Sequence, residues 1–482
     1  MAISTLPRPA LRLASASWRS AIAASLLSSW LGGCASYHAQ PLQPQESARK
    51  FAARRLDSPG LKDAVTQLLP HPPPQWPPSK WNRAELLAVA LTDNPTLAVQ
   101  RAQVGRALAH QITAGERPNP TIGLQSEYAL NDIHPWLYGV SFELPLRSPA
   151  LRRLAISQAQ IATSRARWQL IGATWRVRSE LIAALSNWQS ARRRSSLLHT
   201  LITDQRQLLD EQRARVAAGE DAPATLVPAQ DALLQAQLQQ GEARADAQRA
   251  ESAAAAALGV PPQALDNLRL DWPHWGRPPA VSVRKLQAAR TAALLSRADL
   301  SAAIDDYAEA EDRLQQAIAR QYPQLTLTPG YYWDHGIHKF PVDVGLTLPL
   351  FNRNQGEIAE ARAGRALAGR RMLALQDSIY GEIAGAVRAE SIARDNEQAA
   401  RQRLDDAREQ LRQATLGFEL GAVDRNEQLA ARILVSRAQL DLLQTQAGWQ
   451  AARNALEDAL RAPLSGPELG MGRFASNIGG RP

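Results

Sequence analysis

The chain carries one pattern twice, and that repetition constrains its fold more than any single motif. A helical stretch leads into Pro118-Asn119-Pro120-Thr121-Ile122-Gly123-Leu124, a strand pair ending Glu143-Leu144-Pro145-Leu146, and a long helical stretch. The same order returns as Tyr322-Pro323-Gln324-Leu325-Thr326-Leu327, a strand pair ending Thr347-Leu348-Pro349-Leu350, and a second long helical stretch. Pro120 with Pro323, Pro145 with Pro349, Gly219 with Gly421 and Pro261 with Pro463 all stand about 203 residues apart, so an internal duplication replaces the domain count that length alone would suggest. The first repeat spans 81–275 and the second 282–463, with a flexible tail expected over 464–482.

Each repeat holds four strand or helix signals in a fixed order. In strand pair 120–146, Ile122, Leu124, Tyr128 and Leu130 alternate with Thr121, Gly123, Gln125 and Glu127; Tyr138, Val140, Phe142 and Leu144 then alternate with Gly139, Ser141 and Glu143. In pair 323–350, Leu325, Leu327, Tyr331 and Trp333 alternate with Gln324, Thr326, Thr328 and Gly330, and Val342, Val344, Leu346 and Leu348 with Asp343, Gly345 and Thr347. A soluble sheet lying on helices would alternate in the same way. Segments of about ten residues, half apolar and half polar, also match strands that cross a bilayer. The aromatics Tyr128, Trp136, Tyr138, Tyr331, Tyr332, Trp333 and Phe340 gather beside the two hairpin loops, as interface belts do. Four strands with open edges cannot stand in hydrocarbon, so such a chain must oligomerise; two, three or four copies would close barrels of different size.

The helical stretches are too long for a globule. Residues 151–218 contain no proline and would extend roughly 100 Å. Their apolar heptad is Leu154, Ile161, Trp168, Trp175 and Ile182; the counterpart 355–420 carries Ala400, Leu404, Ala407, Leu411, Ala414 and Phe418, and the return helices 224–258 and 423–461 carry similar seams. Within each repeat the shorter helix before the strands and the return helix, stacked end to end, approach the length of the long one. Gly219 and Gly421 mark the turns at the end remote from the strands.

The first residues add a location. Arg8, Arg12 and Arg19 precede a short apolar run, Ala21 to Leu31, too brief to span a bilayer, and the sole cysteine closes Leu31-Gly32-Gly33-Cys34. This string resembles a bacterial lipobox, so 1–33 reads as a lipoprotein signal peptide and Cys34 as the lipidated residue, with no aspartate following to divert the product from the outer membrane. Residues 34–80, with Pro70, Pro72, Pro73, Pro74, Pro77 and Pro78, are expected to form an extended, Pro-rich lead. The net charge of +9 falls to +6 for a chain beginning at Cys34, and its basic residues are interspersed with acids, which argues against nucleic acid as a partner.

Together these features resemble the TolC-like outer-membrane efflux proteins from about residue 80 to 463. The carrying motifs are Asn94-Pro95-Thr96-Leu97, Arg117-Pro118-Asn119-Pro120, both strand pairs, Arg215-Val216-Ala217-Ala218-Gly219 and Gly417-Phe418-Glu419-Leu420-Gly421. The resemblance implies a mostly α fold with a membrane β-barrel: a homotrimer with a 12-stranded barrel and a long helical barrel reaching into the periplasm. It also implies a periplasmic adaptor of the membrane-fusion type and an inner-membrane pump of the resistance-nodulation-division type. Gate candidates at the tip are Gly219, Phe418, Gly421, Asp424, Arg425 and Glu427: Phe418 takes the family's aromatic position and Glu427 an acidic one, but Val423 stands where the family has a basic residue and Thr225 where it has an acid, so in place of the family's ionic lock a closed state would rest on Arg425, Asp424 or apolar contacts. The motif at Arg117 with the lipobox places the chain nearest the heavy-metal cation branch, with drug efflux as the alternative.

Enzyme motifs are missing from the sequence: no Gly-x-Ser-x-Gly, no phosphate-cradling glycine loop, no second cysteine. No cofactor is expected beyond the lipid on Cys34, and a surface coiled-coil lipoprotein is the remaining structural reading. If the apolar strand faces meet lipid, Glu127, Glu143 and Asp343 project into the barrel lumen. His335, His338 and Asp334 share one hairpin loop and His134 and Asp132 the other; they are read as solvated loop residues, with no metal site.

Overall fold

The computed structural model describes residues 37–131, 133–146 and 148–471. Cys34 and the signal segment, Asp132, Arg147 and the tail beyond Met471 lie outside the described residues. The chain divides into two units, one ending at Phe51 and the other beginning at Ala52. The first holds all but the last residue of helix α1 (Pro44–Ala52), every residue of which is exposed.

The second unit opens with α2 (Pro59–Leu68), so the lead is not extended throughout as expected. Pro44 and Pro59 sit at the starts of α1 and α2, where a missing N–H costs nothing and the fixed φ suits the helix. Strand β1 (Trp81–Asn82) pairs in parallel with β4 (Leu270–Asp271) and delivers Asn82 as the cap of α3 (Arg83–Asp93). The cap is reciprocal: Glu85 N donates to Asn82 Oδ1 at 3.0 Å and Asn82 N to Glu85 Oε2 at 2.8 Å. Helix α3 is buried from Arg83 to Leu91 and anchors the main core with Leu181, Leu185, Leu258 and Trp272. Each such leucine contributes about 1.5–3 kcal/mol by leaving water.

From this belt α4 (Pro95–Gly115) climbs to strands β2 (Thr121–Tyr128) and β3 (Trp136–Leu146), and α5 (Pro149–Ala217) runs back past the belt to a turn at Gly219. Helix α6 (Leu226–Leu258) returns beside it. The second repeat follows suit with α7 (Val283–Ser296), α8 (Ala298–Ala319), β5 (Leu325–Asp334), β6 (Ile337–Lys339), β7 (Val342–Leu346), α9 (Gln355–Glu419) and α10 (Arg425–Leu460). Helix α5 packs on α4 and α6 along one side and on α8 and α10 along the other, while α9 packs on α8 and α10. The short and return helices thus share the flank of each long one.

The repeat extends to its joints. Asn94, between α3 and α4, donates to Ala257 O at 2.8 Å; Arg297, between α7 and α8, donates to Ala459 O, also at 2.8 Å. Arg297 further binds Glu382 and Asp299, so the second joint is fastened to α9 as well.

Of the heptad expected on α5, Leu154, Ile161, Trp168 and Trp175 are only half-buried, whereas Ile182 is fully buried. The seam actually buried there is Ala159, Thr163, Ala166, Leu170, Ala173 and Val177, where small residues admit neighbouring helices and the tryptophans do not. The expected Leu404 and Ala407 of α9 are buried, but they pack against Val435 and Ala438 of α10; positions expected on α10 face elsewhere, Ile433 into the cluster with α5 and α6 and Ser436 onto Asp204. The expected flexible tail fails over its first residues: Leu464, Glu468 and Met471 are buried.

Candidate functional site

Two places collect the residues singled out in sequence, the sheet and the helical turns. The sheet runs β2-β3-β5, with β6 and β7 end to end along the far edge of β5. β6 and β7 keep one register against β5 and form a single strand broken at Pro341, whose carbonyl accepts from Gly330 N at 2.8 Å but which has no N–H to return. Among the described residues no further strand covers β2 or the β6/β7 edge.

The register assigns the faces. Ile122, Leu124, Tyr128, Tyr138, Val140, Phe142, Leu327, Val342 and Val344 share one face; Glu127, Gly139, Ser141, Glu143, Thr326, Thr328, Asp343 and Gly345 share the other. Among the described residues no helix lies on the apolar face: Leu124 is 83% exposed and Val342 61%. At the loop end that face carries Trp136 stacked on Tyr138, Tyr138 on Trp333, and Tyr331 tilted against Phe340. Tyr332, expected in the same belt, points the other way and covers Gly139, where a Cβ would stand 2.2 Å from its ring.

On the polar face Glu143 pairs with Thr121 on β2 and Asp343 with Thr328 on β5. The β3–β5 register sets Thr328 opposite Glu143, so the two acids flank that threonine in one row. Glu127 lies towards the loops, in the row of Leu137 and Asp334. Lys339, expected in the loop, belongs to β6 and pairs with Asp334, which also meets His335. His338 Nδ1 lies 2.7 Å from Tyr331 Oη. These partners occupy the loop histidines, and no metal-binding group of three occurs among the described residues.

At the opposite end both turns use the same chemistry. Gly219 and Gly421 adopt φ of 75° and 68°, and the following N–H reaches back to Arg215 O at 2.9 Å in one case and Gly417 O at 2.8 Å in the other. Only glycine takes that left-handed position without strain, so each turn satisfies the carbonyls at its helix end. Val423 folds onto α9, and a Cβ at Gly417 would come within 3.1 Å of it. Asp424 caps α10 by accepting from Glu427 N at 2.9 Å. Arg425 lies over the Phe418 ring, 5.3 Å from its centroid, and donates to Gln428 at 2.9 Å. Glu427 and Thr225 line a cavity of about 760 Å³ between the α5–α6 and α9–α10 hairpins.

Arg215 joins the two turns. It binds Asp221 at 2.7 Å in its own hairpin and Asp424 at 3.0 Å in the other. These acids, the Asp221 hydrogen bond foremost, hold its guanidinium above its ordinary value. Sequence reasoning quoted Arg215 as part of a motif without giving it a role.

Residues 289–460 match the family described as outer membrane efflux protein. The cobalt-zinc-cadmium resistance protein CzcC of Cupriavidus metallidurans is 26% identical over 309 residues, 62% of this chain and 71% of that protein. The outer membrane protein VceC of Vibrio cholerae has a similar fold, with a TM-score of 0.64 at 19% identity over 80% of this chain and 97% of that one. The open state of the MtrE outer membrane channel of Neisseria gonorrhoeae gives 0.63 at 17% identity, over 79% and 89%.

Proposed function

We propose a function for this chain, which belongs to the TolC-like outer-membrane efflux protein family: it is the outer-membrane duct of a tripartite efflux system. The observation that carries this reading is the sheet, whose apolar face is bare and whose two edges are unpaired among the described residues, set at one end of a duplicated pair of long helical hairpins. In water such a sheet exposes both apolar surface and unpaired backbone; in a bilayer it must close with other copies. Three copies give a 12-stranded barrel, with the helices reaching into the periplasm to meet an adaptor and an inner-membrane pump. The lipid on Cys34 fastens the lead to the same membrane.

The substrate class we assign is heavy-metal cations. Similarity to a protein named for cobalt, zinc and cadmium resistance supports this, as do the acids on the polar strand face. The test has two parts. The purified protein should have the mass of three chains in detergent and conduct across a planar bilayer; without conductance the duct reading falls. Cells lacking the gene should lose tolerance to zinc, cobalt or cadmium and regain it on complementation. Loss of tolerance to organic drugs alone would move the assignment to drug efflux.

A further inference from the structure

Polar cross-links join α5 of the first repeat to α10 of the second at three levels. At the turns Arg215 meets Asp424, and this pair is partly exposed. Far above, Arg178 donates to Glu457 at 2.6 Å and through Nε to Glu468 at 2.9 Å, while Arg83 lies 3.4 Å from Glu468. All four side chains there are buried, and two arginines balance two acids.

The middle level is not balanced. Asp204 is 5% exposed and accepts from Ser436 Oγ at 3.0 Å; the nearest cation, Arg432, stands 3.9 Å away on the exposed side of α10. Beside it Gln205, also buried, leaves its Oε1 without a hydrogen-bond partner. A cavity of about 910 Å³ borders this level. Its charged lining is Arg194 from α5, Arg437 from α10, and Arg403 of α9 paired with Asp441 at 2.8 Å; α6 presents only alanines and glutamines, such as Ala236 and Gln239. Burial pushes the Asp204 carboxyl above the usual carboxylate range, and Ser436 and Arg432 offset only part of that.

We propose that Asp204 is a proton-sensitive latch of the α5–α10 seam: neutral, it closes the seam onto Ser436, and ionised, it lets the seam part between the Arg178 cluster and the turns. The inference rests on the duct reading, since parting the seam is what would widen the periplasmic end. Its sign follows from linkage. The closed seam holds the carboxyl at a raised value, and the parted seam returns it to water and its ordinary value, so the closed form binds the proton more tightly and acid favours closure. Each unit of difference between the two forms changes the open-to-closed ratio about tenfold on the ionised side.

The experiment compares full-length wild type, Asp204→Asn and Arg432→Gln in planar bilayers across the carboxylate titration range, with amide exchange of α10 followed in the same detergent-solubilised assemblies. Wild-type conductance should rise with pH, and α10 below Ser436 should exchange faster after correction for intrinsic rates. Asp204→Asn keeps the hydrogen bond without the charge, so it should conduct poorly and exchange slowly at every pH. Arg432→Gln removes the cation that favours the ionised closed form, so it should conduct at least as well as wild type at every pH and more strongly once Asp204 is ionised. An Asp204→Asn protein with the wild-type pH profile in exchange would overturn the latch. Should no form conduct, the duct reading fails, and the exchange profile still decides the latch.

Discussion

Arg215 and Asp424 stand 3.0 Å apart although 209 residues separate them, and through this pair the first hairpin holds the N-terminus of the second hairpin's return helix. The same carboxylate caps α10 through its other oxygen. Asp424→Asn keeps a good cap and removes the charge, whereas Asp424→Ala removes both. We expect Asp424→Asn to raise conductance modestly with unchanged thermal stability, since exposed ion pairs are screened. Asp424→Ala should add a loss of about 1 kcal/mol from the missing cap. Equal behaviour of the two variants in conductance and melting would show that the ion pair does not restrain the hairpins.

The end of the described chain is a fastening. Glu468 is buried between Arg83 of α3 and Arg178 of α5, and Gly466 at φ 96° passes so close to Arg83 that a Cβ would strike the guanidinium. Leu464 belongs to the second repeat's core and Met471 to the main one, so the segment ties the repeats together. Glu468→Gln leaves Arg83 without its carboxylate in a buried site, which costs about 3–5 kcal/mol. A lowered melting temperature and faster proteolysis near the belt are expected. Wild-type stability would mean that the arginines find other acids.

Much of this was legible in sequence because it depends on local pattern. The strand faces followed from alternation, the turns from Gly219 and Gly421, and the α9–α10 seam from Leu404 and Ala407. What escaped depends on how distant elements register. The buried seam of α5 lies on its alanines rather than on Trp168 and Trp175 because four neighbouring helices, not one, crowd it. Arg215 looked like one solvated cation among many until the second hairpin brought Asp424 to it. The tail looked disordered because its glycines and prolines signal no regular element, although one glutamate in it answers two buried arginines.

Lipidation is tested at the only cysteine. Cys34→Ser should abolish incorporation of labelled palmitate and leave an unprocessed precursor. A single acyl chain gives only marginal membrane attachment, about 0.8 kcal/mol per buried methylene, so the barrel of an assembled mutant should still insert. Continued labelling of the mutant would remove Cys34 as the acceptor.

The polar face of the sheet sets charge selectivity in the proposed lumen. Glu143 and Asp343 lie in one row on either side of Thr328, roughly 9–10 Å apart across two strand spacings. Neither has an ion-pair partner among the described residues, and Arg147, beyond the strand, lies outside them. Towards the loops Lys339 neutralises Asp334, so Glu127 supplies the unpaired charge of its row alone. Three copies would therefore ring the row nearer the helices with on the order of six carboxylates, against about three in the outer row. Screening over about 10 Å at 0.1 M salt limits this to a bias towards cations that strengthens at low salt. Reversal potentials under a salt gradient should shift towards zero in Glu143→Gln/Asp343→Asn, and by less in Glu127→Gln. A double variant with the wild-type reversal potential at low salt would place these side chains away from the conducting path. The polar face would then be the one meeting lipid or protein, and the bare apolar face would need another explanation.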